Sequence, residues 1–186
     1  KAATQKKAAT PWLFDEVRPP KGKSYIAVPK VSSGRRKYVP MGFVTNEMIP
    51  GDMLFSVSNA GLYEFGILES QFHNAWMRQV AGRLKSDYRY TNTIVYNNFV
   101  WPDASTEQHG YIESCAQEVL DARAAHPDAT LADMYNPDNE FLFPDLMKAH
   151  AELDAAVESA YGVDFNGDEN EIVAHLFNLY AEKVGE

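Results

Sequence analysis

Residues 82–102 read GRLKSDYRYTNTIVYNNFVWP. The stretch is dense in donors, acceptors and aromatics and has no regular apolar face. Lys85, Asp87 and Arg89 lie two apart, a spacing that puts all three side chains on one face of an extended segment. Together they suit the edge of a guanine–cytosine pair. Lys and Arg donate to guanine O6 and N7, and Asp accepts from the cytosine amino group. The same residues also suit a solvated loop with local ion pairs, which are common and contribute little stability. Thr93-Ile94-Val95-Tyr96 reads as a short β-like run, followed by Asn97-Asn98-Phe99 and Trp101-Pro102.

Upstream of Gly82, residues Phe72, Trp76 and Val80 recur four apart with Ala75 beside them, which predicts a helix capped at Ser70. Gly82 is expected to let that helix end. His73 reads as structural, since no nucleophile stands near it. Leu62–Leu68 reads as a strand or strand–loop after a turn at Asn59-Ala60-Gly61. Met53–Val57 reads as an apolar strand and Asn46–Asp52 as a loop. Tyr25–Val28 and Lys37–Val39 read as strands that Pro29 and Pro40 confine to edges or ends, with Ser32-Ser33-Gly34 as the turn between them. Arg35, Arg36 and Lys37 follow at the far side of that hairpin. They suit a phosphate clamp with Ser32, Ser33 and the Gly34 amide as added donors; a solubilising charged turn is the alternative. Pro11–Val17 predicts a short helix with Thr10 as its cap, ended by Pro19-Pro20.

Downstream, Ser105 and Thr106 precede a stripe of Ile112, Cys115, Ala116, Val119, Leu120 and Arg123, ended by Pro127. Thr130 caps a short turn over Leu131–Tyr135, and Asn136-Pro137-Asp138 is loop. Pro144 opens a helix whose apolar positions run from Leu146 to Tyr161, and Gly162 stops it. Asp168 with Glu171 resembles a capping box ahead of a last stripe through Ile172, Val173, Leu176, Phe177 and Tyr180. Three such helices are too few to be very stable alone and are expected to lean on the first half. The expected fold is therefore α+β: a mixed strand-rich region over residues 1–102, then a small helical domain over residues 103–186.

Charge divides the chain at the same place. Residues 1–101 carry 14 Lys+Arg against 7 Asp+Glu, a balance of +7; residues 102–186 carry 3 against 19, a balance of −16. The first half has the footprint of a polyanion binder, and the second is expected to face away from one. A protein-interaction module with a basic docking face and no DNA sequence preference fits the same balance, the acidic half then masking that face. The leading residues KAATQKKAAT lack the apolar core of a signal peptide, and no run is apolar enough to span a membrane. The single Cys115 excludes an intrachain disulfide and a Cys-based zinc site.

Several motifs point elsewhere and fail. Asp164, Asn166 and Asp168 alternate like calcium ligands, but Glu169 stands where that loop needs glycine and His175 where it needs glutamate. His150 and Asp154 lie four apart without a third ligand at a telling spacing. No metal site and no catalytic residue are expected.

The quoted stretch resembles the end of the target-recognition domain of the MmeI-like DNA adenine-N6 methyltransferases, large restriction–modification polypeptides. TQKKAATPWLFDEVRPP, IAVPKVSSGRRKYVPMGFV and FGILESQFHNAWMRQVAGRLKSDYRY are similar to upstream blocks of that domain. PDLMKAHAELDAAVESAYG and IVAHLFNLYAEKV are similar to its C-terminal helical segment. The resemblance implies that the chain selects a DNA sequence, that the pair Lys85 and Asp87 reads one base pair, and that it favours guanine over cytosine there. Arg83 and Arg89 are then base or backbone contacts. It implies double-stranded DNA as partner and a prokaryotic, cytoplasmic setting. It also implies an upstream methyltransferase domain that holds S-adenosylmethionine and the target adenine, with any nuclease further upstream. This chain alone is then inactive. Tyr96-Asn97-Asn98-Phe99 lacks the prolines of the methyltransferases' catalytic motif, and no glycine-rich strand-to-helix turn is present to cradle the cofactor.

Overall fold

The computed structural model describes residues 22–185, with Ala8 and Thr10. The helix expected at Pro11–Val17 lies outside the described residues. The chain runs through strands β1 (Ser24–Pro29), β2 (Val31–Ser32), β3 (Gly42–Thr45) and β4 (Leu54–Ser58), then helices α1 (Leu62–Glu69) and α2 (Gln71–Val80). Strands β5 (Gly82–Leu84) and β6 (Asp87–Arg89) follow, then a π-helical turn, Asn92–Tyr96. Helices α3 (Thr106–Ala124) and α4 (Leu131–Met134), a 3-10 helix (Pro137–Leu142), α5 (Pro144–Ala160) and α6 (Glu169–Gly185) complete it. The expected α+β class and the order of its parts hold.

Two antiparallel sheets carry the first half. One has the order β3-β1-β4 and the other β2-β6-β5. Lys30 is the corner between them: its N–H donates to the Met53 carbonyl (3.0 Å) and its carbonyl accepts from the Tyr90 N–H (2.9 Å). Ile26 and Val28 of β1 are buried in the core shared with the helices, and Tyr25 is buried with its hydroxyl on the Met48 carbonyl (3.1 Å).

Four sequence expectations change. Lys37–Val39 is not a strand, and β1 pairs with β3 and β4 instead. The reason is that its backbone donors go to helix side chains: Val39 N–H to Asn74 Oδ1 (2.8 Å) and Met41 N–H to Glu69 Oε1 (2.6 Å). Pro40 between them has no donor to offer a sheet. Leu62–Leu68 is helical. Phe65, Gly66, Ile67 and Leu68 are buried in succession, and a helix buried all round shows no amphipathic period. Gly66 permits this, since a Cβ there would lie 2.8 Å from Ile112 Cγ2 and 3.2 Å from Leu153 Cδ1. Thr93–Tyr96 belongs to the π-helical turn, closed by Asn97 N–H to the Asn92 carbonyl (2.8 Å). The Trp76 indole takes the Val95 carbonyl (3.0 Å), so that carbonyl serves no ladder. The loop read at Asn136-Pro137-Asp138 enters the 3-10 helix, capped by Asn136.

The helical half forms as its caps predict. Ser105 and Gln108 cap α3 reciprocally, Thr130 and Asp133 do the same for α4, and Asp168 Oδ1 accepts from the amides of Asn170 and Glu171 ahead of α6. The half does lean on the first: α1 packs on α3, and α2 on α6, where Trp76 meets Phe177 and Tyr180 at 5.2 and 5.9 Å between ring centroids. One continuous core runs from Ile26 and Val28 through Phe65 and Phe72 to Ile112, Leu153 and Leu176. His73 is buried on α2 beside the Tyr90 hydroxyl (2.9 Å), and burial pushes it down to about 3, so it stays neutral.

A buried polar network ties the segment Lys37–Met41 to this core. Arg123 Nη2 lies 2.9 Å from Glu69 Oε1, and Arg123 Nη1 donates to the Met41 carbonyl (2.7 Å). The guanidinium also donates to the Tyr135 hydroxyl through Nε (2.8 Å) and Nη2. With two donors accepted, that hydroxyl donates to His150 Nε2 (2.7 Å), whose ring stacks on Tyr38 at 4.0 Å. Burial holds His150 well below its ordinary value, and the Arg123 and Lys37 charges add to this. The Tyr38 hydroxyl and the Gln71 amide donate to the two Asp154 oxygens (2.6 and 2.7 Å).

Removing one partner of a buried ion pair strands the other charge, so Arg123→Met should cost about 3–5 kcal/mol in urea unfolding. Glu69→Gln with Arg123→Met should not restore stability, because the Met41 carbonyl still loses its donor. Asp154 gives a pH signature. Burial pushes its carboxyl up to about 6 from 3.8, against the lowering effect of the Tyr38 hydrogen bond. The folded protein then binds that proton more tightly than the unfolded chain. Its contribution, about 3 kcal/mol, is fully present below the ordinary carboxylate value and lost as pH rises through 6. Stability curves from pH 4 to 7 should lose that falling component in Asp154→Asn.

Candidate nucleic-acid interface

The hairpin of β5 and β6 is exposed over most of its length. Its register pairs Gly82 with Arg89, Arg83 with Tyr88 and Leu84 with Asp87, leaving Lys85-Ser86 as a two-residue turn. Lys85 has φ +59° while Ser86 does not have positive φ, the pattern of a type II′ turn, whose first central residue is usually glycine. Lys85, Asp87 and Arg89 therefore do not share one strand face as their spacing suggests. Asp87 and Arg89 share a face of β6, Tyr88 turns inward and is buried, and Lys85 stands at the exposed tip.

The hairpin is braced from within. The Arg83 guanidinium lies 3.6 Å over the Tyr88 ring, and its Nη1 donates to the Ser86 carbonyl (3.2 Å). Beside it runs the loop Ser33–Lys37, joined through pairing of Val31 with Arg89 and Ser32 with Tyr88. The Gly34 N–H reaches Asp87 Oδ1 (3.4 Å), and a Cβ on Gly34 would lie 2.5 Å from the Ser86 carbonyl oxygen. No larger residue allows that approach. Through Gly34, the hairpin residues Arg83, Ser86 and Asp87 thus lie against the loop that carries Ser33, Arg35, Arg36 and Lys37. Two of the nominated donors are not open: the Ser32 side chain is buried, with Oγ lacking a partner among the described residues, and the Gly34 amide is turned to Asp87.

The acidic half does not face wholly away. Arg35 Nη2 lies 2.6 Å from Asp138 Oδ1 on the 3-10 helix, each raising or lowering the other toward its charged form. Lys37 Nζ lies 3.8 Å from Asp154 and 4.9 Å over the Tyr38 ring. Arg78 donates to the Lys37 carbonyl (2.6 Å) and to both Glu169 oxygens (2.7 and 2.9 Å). Asp138 and Glu169 carry no local signal of these roles, being 103 and 91 residues from their partners. Among the described residues, no group of three or more His, Cys, Asp or Glu is placed to hold a metal, and no helix is long and apolar enough to cross a membrane.

Two substitutions test this geometry. Lys85→Gly should raise stability by about 1 kcal/mol in thermal or urea melts, by removing a left-handed residue with a Cβ. Gly34→Ala should cost about 1–3 kcal/mol through overpacking and shift the amide NMR signals of Ser86 and Asp87 while sparing α5.

Comparison with known proteins gives a consistent answer across the whole chain. The family model for the MmeI target recognition domain matches residues 1–103, and that for the MmeI C-terminal domain matches residues 104–186. DNA methyltransferase A of Bacillus subtilis (strain 168) is 40% identical over 180 residues, covering 96% of this chain and 20% of that protein. The solved structure of the Type IIL restriction–modification enzyme MmeI in complex with DNA superposes with a TM-score of 0.93 at 36% identity, covering 100% of this chain and 24% of that one. The chain thus spans about a fifth to a quarter of the length of these relatives. It belongs to the MmeI family and comprises that family's target recognition and C-terminal domains.

Proposed function

We propose that this chain selects the DNA sequence at which a larger restriction–modification polypeptide methylates adenine. The observation that carries the reading is the packing of the Lys85–Asp87 hairpin tip against the Ser33–Lys37 loop through Gly34. Lys85 and Asp87 read one base pair in the major groove, with Arg89 beside them. Lys85 donates to guanine, and the Asp87 oxygen not used by Gly34 accepts from cytosine. Arg83, folded onto Tyr88, positions the turn. Ser33, Arg35, Arg36 and Lys37 hold phosphates, which supplies affinity and register rather than sequence preference. Ser32 supports β2 and is left out of the contact set. The functional division follows the 1–102 and 103–186 boundary, the second part holding the first in place.

Methyl transfer belongs to the remainder of the polypeptide, in the bacterial cytoplasm, with S-adenosylmethionine bound there. The one glycine-containing strand-to-helix turn among the described residues, Asn59-Ala60-Gly61 ahead of α1, has its Gly61 amide taken by the Glu64 carboxylate (2.7 Å). That arrangement repels an anionic group instead of cradling it.

The test is an exchange of charges in the complete polypeptide. Lys85→Glu with Asp87→Arg should turn one guanine–cytosine position of the methylated motif into cytosine–guanine, read by methylation-aware sequencing of DNA from expressing cells. A motif unchanged at every base would remove base reading from the hairpin. The wrong pair at that position should cost about 1–3 kcal/mol of binding.

A further inference from the structure

Arg35 is an exposed cation on the loop beside the hairpin, yet it already holds an anion. Its guanidinium contacts Asp138 at 2.6 Å, and the two side chains are 65% and 63% exposed. Asp138 sits at the start of the 3-10 helix, where its N–H donates to Asn136 Oδ1 (3.2 Å), and the Asn139 amide donates to the Asp133 carbonyl (3.2 Å). The carboxylate is thus presented from a formed turn across an open cleft lined by Ser33, Arg35, Arg36, Ala132, Asn136 and Pro137. The contact at Lys37 differs in kind, because Asp154 is buried and fixed by Tyr38 and Gln71.

We propose that Asp138 is an affinity-setting residue, an intramolecular stand-in for a DNA phosphate that occupies Arg35 until duplex displaces it. The proposal rests on the reading of the Ser33–Lys37 loop as a phosphate contact. The contact is a single charge-assisted one, Nη2 to Oδ1, of the kind that a phosphate oxygen makes equally well. Being exposed, the ion pair is weak and exchangeable. Duplex DNA wins the exchange at low salt, because each phosphate neutralised releases condensed counterions. The stand-in lowers general affinity, so that residence on DNA depends more on the hairpin's base contacts.

The experiment titrates the complete polypeptide with a labelled mixed-sequence duplex, by fluorescence anisotropy from about 50 to 200 mM salt. Asp138→Asn should tighten binding about two- to fivefold at low salt, the range an exposed pair supports. It should leave the slope of log K against log salt as in wild type, because duplex reaches Arg35 in both complexes and the number of phosphate contacts is the same. The gain should vanish in Asp138→Asn with Arg35→Gln. Glu118→Gln removes the same charge from an exposed position on α3 and should leave the affinity unchanged. An unchanged affinity for Asp138→Asn, or an equal gain from Glu118→Gln, would overturn the proposal while leaving DNA binding intact. Failure of every variant to bind duplex at any salt would overturn the phosphate reading and the proposal together.

Discussion

A single buried ion pair decides how the first half of this chain is held. Arg123 and Glu69 meet at 2.9 Å with the Met41 backbone gripped between them, its N–H on the carboxylate and its carbonyl on the guanidinium. Isolated in a core, such a pair is weak evidence for stability, because desolvation opposes the attraction. Here the remaining guanidinium donors reach Tyr135, and burial raises Glu69 while the facing Arg123 opposes the rise. The pair therefore acts less as glue than as a jig. It fixes where the segment leaving the basic loop enters the core, and with it the loop's position beside the hairpin.

The sequence was legible where local chemistry decides structure. Ser105, Thr130 and Pro144 announce their helices, and Phe72, Trp76 and Val80 announce α2, because each signal lies within one or two turns. It was misleading where a distant group takes over a backbone group. Lys37–Val39 has strand composition, but Asn74 and Glu69 capture the donors a ladder would use. Val95 is β-branched, but Trp76 claims its carbonyl. Helix α1 has no readable face because every face is buried.

The candidate site shows the same division. Its residues were visible from charge and from likeness to a family, yet their arrangement was not. Spacing of two suggests a common face, and the turn at Lys85-Ser86 breaks that inference by one residue. A left-handed Lys85 costs about 1 kcal/mol relative to glycine, and glycine offers nothing to a base edge. The exposed hairpin thus retains strain at its tip, while the β2 pairing, the Arg83 stack and Gly34 hold the strands behind it.

The continuous core has a consequence for how such a chain can be divided or recombined. Family boundaries fall at residues 103 and 104, but Glu69 lies on one side and Arg123 on the other, as do Tyr38 and His150, and Trp76 and Phe177. A fragment ending at that junction would carry an orphaned carboxylate and a naked face of α1. Exchange between relatives at the junction transplants half of each pairing. The two halves therefore form one unit, and substitutions on the helical side are constrained by core residues of the other half such as Glu69 and Trp76.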